Sequence, residues 1–123
     1  MTFIIKGPMV GGKNMIQTAF INGRKIRYPT QHFKVWRADV LRQIYSQRPG
    51  LNVLFKEPVW FNVVYTPADR RNRDMPGMMD ALFHVLEHAN VVADDGLFKE
   101  CLGWAELKPD PKNPGLKIEI GAL

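Results

Sequence analysis

Apolar side chains recur every third or fourth residue in two segments of the chain and every second residue in several others, and these two periods lay out its elements. Phe33, Trp36, Val40 and Ile44 follow Pro29-Thr30 at helical spacing and lead to Arg48-Pro49-Gly50, which predicts a helix capped by Thr30. Met75, Met78/Met79, Leu82, Val85/Leu86 and Ala89 form the stripe of a second helix over about residues 75 to 90, with Asn90 placed to close it. Thr2 to Lys6 reads as a short strand. Ile16, Thr18 and Phe20 alternate up to Asn22-Gly23, a strong hairpin signal, and Arg24 to Tyr28 returns. Val59 to Thr66 is a strand with Val59, Phe61, Val63 and Tyr65 on one face and Trp60, Asn62 and Val64 on the other. Phe98, Glu100, Leu102, Trp104 and Glu106 alternate as a further strand, and Leu116, Ile118 and Ile120 face inward in the last. The order ββ(β)αβαββ predicts an α+β fold: one domain over residues 1–123, with a mostly antiparallel or mixed sheet and two helices packed on one face.

A chain of 123 residues needs no staple to bury a core, and its single cysteine, Cys101, can form no internal disulfide. Structural zinc held by thiolates is excluded on the same ground. No apolar run reaches the ~18 residues of a membrane span, and the first residues do not read as a signal peptide, so a soluble protein of the cytoplasm is expected.

Charge changes the picture more than size does, because the net charge of +5 is unevenly distributed. Residues 1–73 carry 13 Lys/Arg against Asp39, Glu57 and Asp69, a net of +10, while residues 74–123 carry 4 Lys/Arg against 9 Asp/Glu, a net of −5. A basic half joined to an acidic half suits a protein that binds a polyanion around a metal-holding centre; it suits equally a dipolar surface without a task.

Two motifs fail on context. Gly7-x-x-x-x-Gly12-Lys13 follows a strand as a P-loop does, but Asn14 stands where a Mg2+-binding hydroxyl belongs and a hairpin strand follows in place of a helix. His84-Val85-Leu86-Glu87-His88 spells H-x-x-E-H, yet no later histidine exists to complete a zinc site, and Asp80, His84 and Glu87 read as the solvated face of the second helix.

A stronger constellation is Asp69-Arg70-Arg71-Asn72-Arg73-Asp74, where a strand hands over to a helix, followed after that helix by Asp94-Asp95. Arginine holds phosphate oxygens in bidentate fashion, and aspartate oxygens hold Mg2+, so the two together suit phosphodiester chemistry. Asp74 as a helix cap and Asp94-Asp95-Gly96 as an ordinary turn account for the same residues.

The run Asp69-Arg70-Arg71-Asn72-Arg73-Asp74, the helix carrying Ala81-Leu82 and the exit Ala89-Asn90-Val91-Val92-Ala93-Asp94-Asp95 resemble the RusA family of Holliday junction resolvases, most of them encoded by phages or prophages. Lys13-Asn14, the Asn22-Gly23-Arg24 hairpin and Tyr28-Pro29-Thr30 leading into Phe33-Lys34 are similar in order and spacing to that family's basic N-terminal region. The resemblance implies a homodimeric Mg2+-dependent endodeoxyribonuclease, with Mn2+ as an alternative ion, that binds four-way DNA junctions and nicks two strands in DNA recombination and repair. It implies Asp74, Asp94 and Asp95 as metal ligands and catalytic acids, and Arg70, Arg71 and Arg73 as phosphate grips. Lys13, Asn14, Arg24, Lys25 and Arg27 would hold the junction arms. The chain departs from the family pattern in the second helix: Pro76 stands at a second catalytic aspartate, Gly77 at an asparagine and Asp80 at a functional lysine. Asp80 is then the candidate to return the lost carboxylate. A non-cleaving module that binds branched DNA is the alternative expectation.

Length adds a constraint of its own. A helix of about 15 residues is ~22 Å long, and residues 91–95 span at most ~17 Å, so Asp74 and Asp94 share a metal only if the chain doubles back, a return that reaches partway with a tilted or shorter helix, or if a second subunit contributes, which makes a site close to a dimer interface attractive.

Overall fold

The strand most uniformly apolar in sequence, Val59–Thr66, is one of the two interior strands of the main sheet. The protein, as a computed structural model, describes residues 1–11, 16–50 and 52–123, and its elements are β1 (Thr2–Lys6), β2 (Ile16–Ile21), β3 (Arg24–Pro29), α1 (Gln31–Gln47), β4 (Val59–Thr66), α2 (Met75–His88), β5 (Phe98–Glu106) and β6 (Gly115–Ala122). The fold is α+β. Four strands form one mixed sheet in the order β1-β6-β4-β5, with β6 antiparallel to both of its neighbours and β4 parallel to β5. A parallel pair needs a crossover, and α2 supplies it.

One face of this sheet is the core. Phe3, Ile5, Val59, Phe61, Val63, Tyr65, Leu116, Ile118 and Ile120 are buried on it, against Phe33, Trp36, Val40 and Ile44 of α1 and Met78, Ala81, Leu82, Val85 and Leu86 of α2. Each fully buried Leu, Ile or Phe contributes ~1.5–3 kcal/mol of transfer free energy, so the two helical stripes dominate docking of the helices. Thr30 caps α1 as expected, its Oγ1 accepting from the Phe33 N–H at 3.1 Å.

Two sequence expectations are refined. The hairpin forms, with Asn22 at φ 52° and Gly23 at φ 76° as a two-residue turn of the I′ kind requires, but among the described residues β2 and β3 pair with each other alone and make a separate two-stranded sheet. Strand β5 does not alternate simply. Its register against β4 shifts between Val59/Trp60 and between Phe61/Asn62, so Val59, Phe61 and Val63 pair with Phe98, Cys101 and Trp104. Each extra residue reverses the parity of the strand. Phe98 and Trp104 therefore pack toward the core while Leu102 is turned out, 59% exposed.

Candidate functional site

The loop leaving β4 is ordered by one carboxylate. Asp69 Oδ1 accepts from the Arg71 backbone N–H at 3.0 Å, Oδ2 accepts from Arg71 Nε at 3.0 Å and Nη2 at 2.8 Å, and Oδ1 also accepts from Arg73 Nη2 at 2.9 Å. Arg73 donates in addition to the Arg71 carbonyl at 3.0 Å. These guanidinium bonds hold the Asp69 carboxyl far below the usual carboxylate range. Arg73 lies partly buried beside the Tyr65 phenol, whose pKa burial raises and the guanidinium pulls back. Arg70 is exposed and makes no ion pair among the described residues. Across an open groove of about 630 Å³ the loop faces Glu106, Leu107, Lys108 and Pro109, which follow the end of β5. The arginine run is thus a pre-shaped basic wall, with two of its three guanidinium groups fixed in place.

At the other end of α2 the chain gathers acids. Asn90 at φ 60° reverses the chain, with the Val91 N–H reaching the Leu86 carbonyl at 3.0 Å and the Asn90 N–H reaching the Glu87 carbonyl at 3.0 Å. This is the paired bonding of a left-handed helix terminus. Leu54, Phe55 and Ala93 then pin the exit through backbone bonds of Leu54 N to Asn90 O, Phe55 N to Val91 O and Ala93 N to Phe55 O. The reversal brings the Asp95 N–H to Glu87 Oε1 at 3.0 Å, while Asp94 Oδ1 accepts from the Gly96 N–H at 2.6 Å at the head of a single 3₁₀ turn (Asp95–Leu97). Carboxylate oxygens of Glu87, Asp94 and Asp95 all lie within 4.8 Å of one another. Asp95 is exposed, and partial desolvation followed by the neighbouring charges of Glu87 and Asp94 raises its pKa.

Three carboxylates drawn together at such distances offer the hard oxygen donors that Mg2+ prefers, and a cation among them would relieve the repulsion felt by Asp95. The donor set therefore fits a divalent ion. It is not the expected set. Asp94 and Asp95 are in it, but Asp74 is not: Asp74 stands at the N-cap of α2, exposed and without a side-chain capping bond, and the 14-residue helix holds it ~21 Å from the acidic turn. The chain after α2 runs on to the start of β5, so within one chain Asp74 and the Asp94-Asp95 pair do not meet. Asp80 is exposed on α2 and likewise outside the acidic group.

Glu87, which the helical wheel assigned to solvent, is the member that sequence reasoning missed. The signal was present: a residue suited to left-handed backbone, Asn90, between Glu87 and Asp94 folds the three together. His84, read as part of the same solvated face, is partly buried. Its ring lies 5.7 Å from the Phe33 ring and 4.4 Å from that of His88, and its Nε2 is 3.3 Å from Arg37 Nη1. Burial, then the charges of His88 and Arg37, lower its pKa.

Arg24, Lys25 and Arg27 are exposed on the hairpin, which carries no acidic residue over 16–29 and presents Phe20 at 76% exposure beside its turn. Lys13 and Asn14, and with them the Gly12-Lys13 end of the P-loop-like segment, lie outside the described residues. Among the described residues no helix is long and apolar enough to cross a membrane. No protein-family model matches the chain, and no curated protein matches it.

Proposed function

We propose that the protein is a Mg2+-dependent, structure-selective endodeoxyribonuclease acting on four-way DNA junctions as a homodimer. The observation that supports this reading is the sorting of charge onto a fixed arginine wall at one end of the β4-α2-β5 unit and a tight carboxylate group at the other. Glu87, Asp94 and Asp95 would hold the ion, or Mn2+ in its place. When bound, it supplies Lewis-acid polarisation of the scissile phosphate and a water of lowered pKa. Arg70, Arg71 and Arg73 grip backbone phosphates, and the fixed pair loses little side-chain freedom in doing so. Arg24, Lys25 and Arg27 hold the arms. Asp74 joins the acids of a second copy, the arrangement that the length of α2 leaves open to it.

A second reading is a module that binds branched DNA without cutting it. The separation of Asp74 from Asp94-Asp95 within the chain, together with Pro76, favours that reading. One experiment decides between them: a labelled synthetic four-way junction incubated with Mg2+ or Mn2+, beside a gel shift without metal. Paired nicks support the nuclease; binding without nicks under either ion supports the module; neither binding nor nicking overturns both.

A further inference from the structure

Both helices pack on one face of the four-stranded sheet, and on the other face Ile4 remains 52% exposed. Alternation puts Ile4 and Lys6 of β1 on that outer face, and the register carries it across β6 to β4: Lys6 stands opposite Gly115 and Gly115 opposite Thr66, while Ile4 stands opposite Lys117 and Lys117 opposite Val64. An open groove of about 630 Å³ lies over these two rows. Ile4 and Val64 floor it, and Lys6, Lys117 and Lys112 of the β5–β6 loop rim it, with no acid in its lining among the described residues. Glu119 pairs with Lys117 at 3.8 Å from the next row, so three lysines against one glutamate leave +2. Asp110 in the same loop accepts from the Lys112 and Asn113 N–H groups at 3.1 and 3.3 Å.

The arginine groove adjoins this one. Thr66 and Lys112 line the lysine groove, Pro67 and Lys108 line the arginine groove, and the Asp110 N–H bonds the Pro67 carbonyl at 2.9 Å, so the two grooves flank one loop at the same end of the sheet. In the arginine groove Arg70, Arg71, Arg73 and Lys108 stand against Asp69 and Glu106, which also leaves +2.

We infer that the lysine groove binds a single strand of nucleic acid that continues from the arginine groove across the 107–114 loop. Cations rimming an apolar floor match a nucleotide chain whose phosphates and base faces are both accessible. A duplex keeps its base faces stacked inside, so its phosphates would meet the lysines and leave Ile4 and Val64 uncovered. The inference rests on the DNA-binding reading above and adds to it a second, single-stranded contact on the sheet face that the helices do not cover.

Fluorescence anisotropy of a labelled oligothymidine of about 12 nucleotides, without metal, reads this contact independently of nicking. Lys6→Gln, Lys112→Gln and Lys117→Gln together change only exposed side chains; they should weaken binding about tenfold or more and lower the slope of log affinity against log salt by about 2, at ~0.7 per lost contact. Removing the same charge elsewhere on the surface, through Lys34→Gln, Lys56→Gln and Lys99→Gln, should change the affinity less than about threefold. Equal effects of the two triple variants overturn the lysine groove as the site. Polyglutamate that competes as well as unlabelled oligothymidine overturns the nucleic-acid assignment. A protein that binds a blunt-ended four-way junction and ignores oligothymidine overturns the single-strand contact and leaves the junction reading standing, whereas one that binds neither overturns both.

Discussion

Gln47 hydrogen-bonds both backbone groups of Ile4, and in doing so a helix side chain stands where a fifth strand would otherwise pair. Gln43 repeats the contact one pleat further on, at Lys6. Net contributions of such bonds are ~0.5–1.5 kcal/mol each, and leaving an edge unpaired exposes it to other chains. Replacing both residues by alanine removes four such bonds and should therefore cost ~2–6 kcal/mol in urea unfolding and introduce concentration-dependent scattering. Unchanged stability with no association would show that these contacts contribute nothing.

The acidic group makes a pair of substitutions informative. Glu87→Gln removes one of three carboxylates within 4.8 Å and should weaken Mg2+-dependent nicking by tenfold or more while leaving metal-free junction binding intact. Asp80→Asn, on the exposed face of α2 and outside that group, should leave the nicking rate within a small factor. Loss of nicking in Asp80→Asn at unchanged junction affinity would place Asp80 among the catalytic acids.

His84 gives a pH dependence with a definite sign. Its folded-state pKa is lowered below the ordinary 6.5, so its contribution to stability is present above pH 6.5 and is lost as pH falls through the folded value. Asp95, exposed but raised by partial desolvation and by the charges of Glu87 and Asp94, acts weakly in the opposite sense at the lower pH of the carboxylate range. The melting temperature should fall between pH 7.5 and 5.5, and His84→Gln should flatten that fall even though it loses the ring contact with Phe33. An equal fall in the variant would remove His84 as the cause.

Binding to DNA should weaken steeply with salt, because the N-terminal +10 region displaces condensed counterions. The hairpin carries part of this. Replacing Arg24, Lys25 and Arg27 together by alanine should reduce the slope of log affinity against log salt by about 2–3, close to 0.9 per lost phosphate contact. A slope that does not change would place the hairpin away from the DNA.

Most of the fold was legible because its signals are local. Thr30 caps α1, Asn22-Gly23 turns the hairpin and Asn90 ends α2, each by the backbone geometry its side chain favours. Inward-facing residues of β4 and β6 followed from a period of two that nothing interrupts. The basic wall was visible too, since Asp69, Arg71 and Arg73 are close enough in sequence to meet in any compact loop. What the sequence could not determine depends on register and crossover. The parity of β5 is broken by two shifts against β4, and no property of Leu102 itself announces that it points outward. Glu87 reads as solvent-facing on a helical wheel because the wheel ends where the helix does; only the reversal at Asn90 carries Asp94 and Asp95 back to it. Only the parallel pairing of β4 with β5 decides that the arginine wall and the carboxylates lie at opposite ends of one unit, because that pairing forces α2 to run the length of the strands between them.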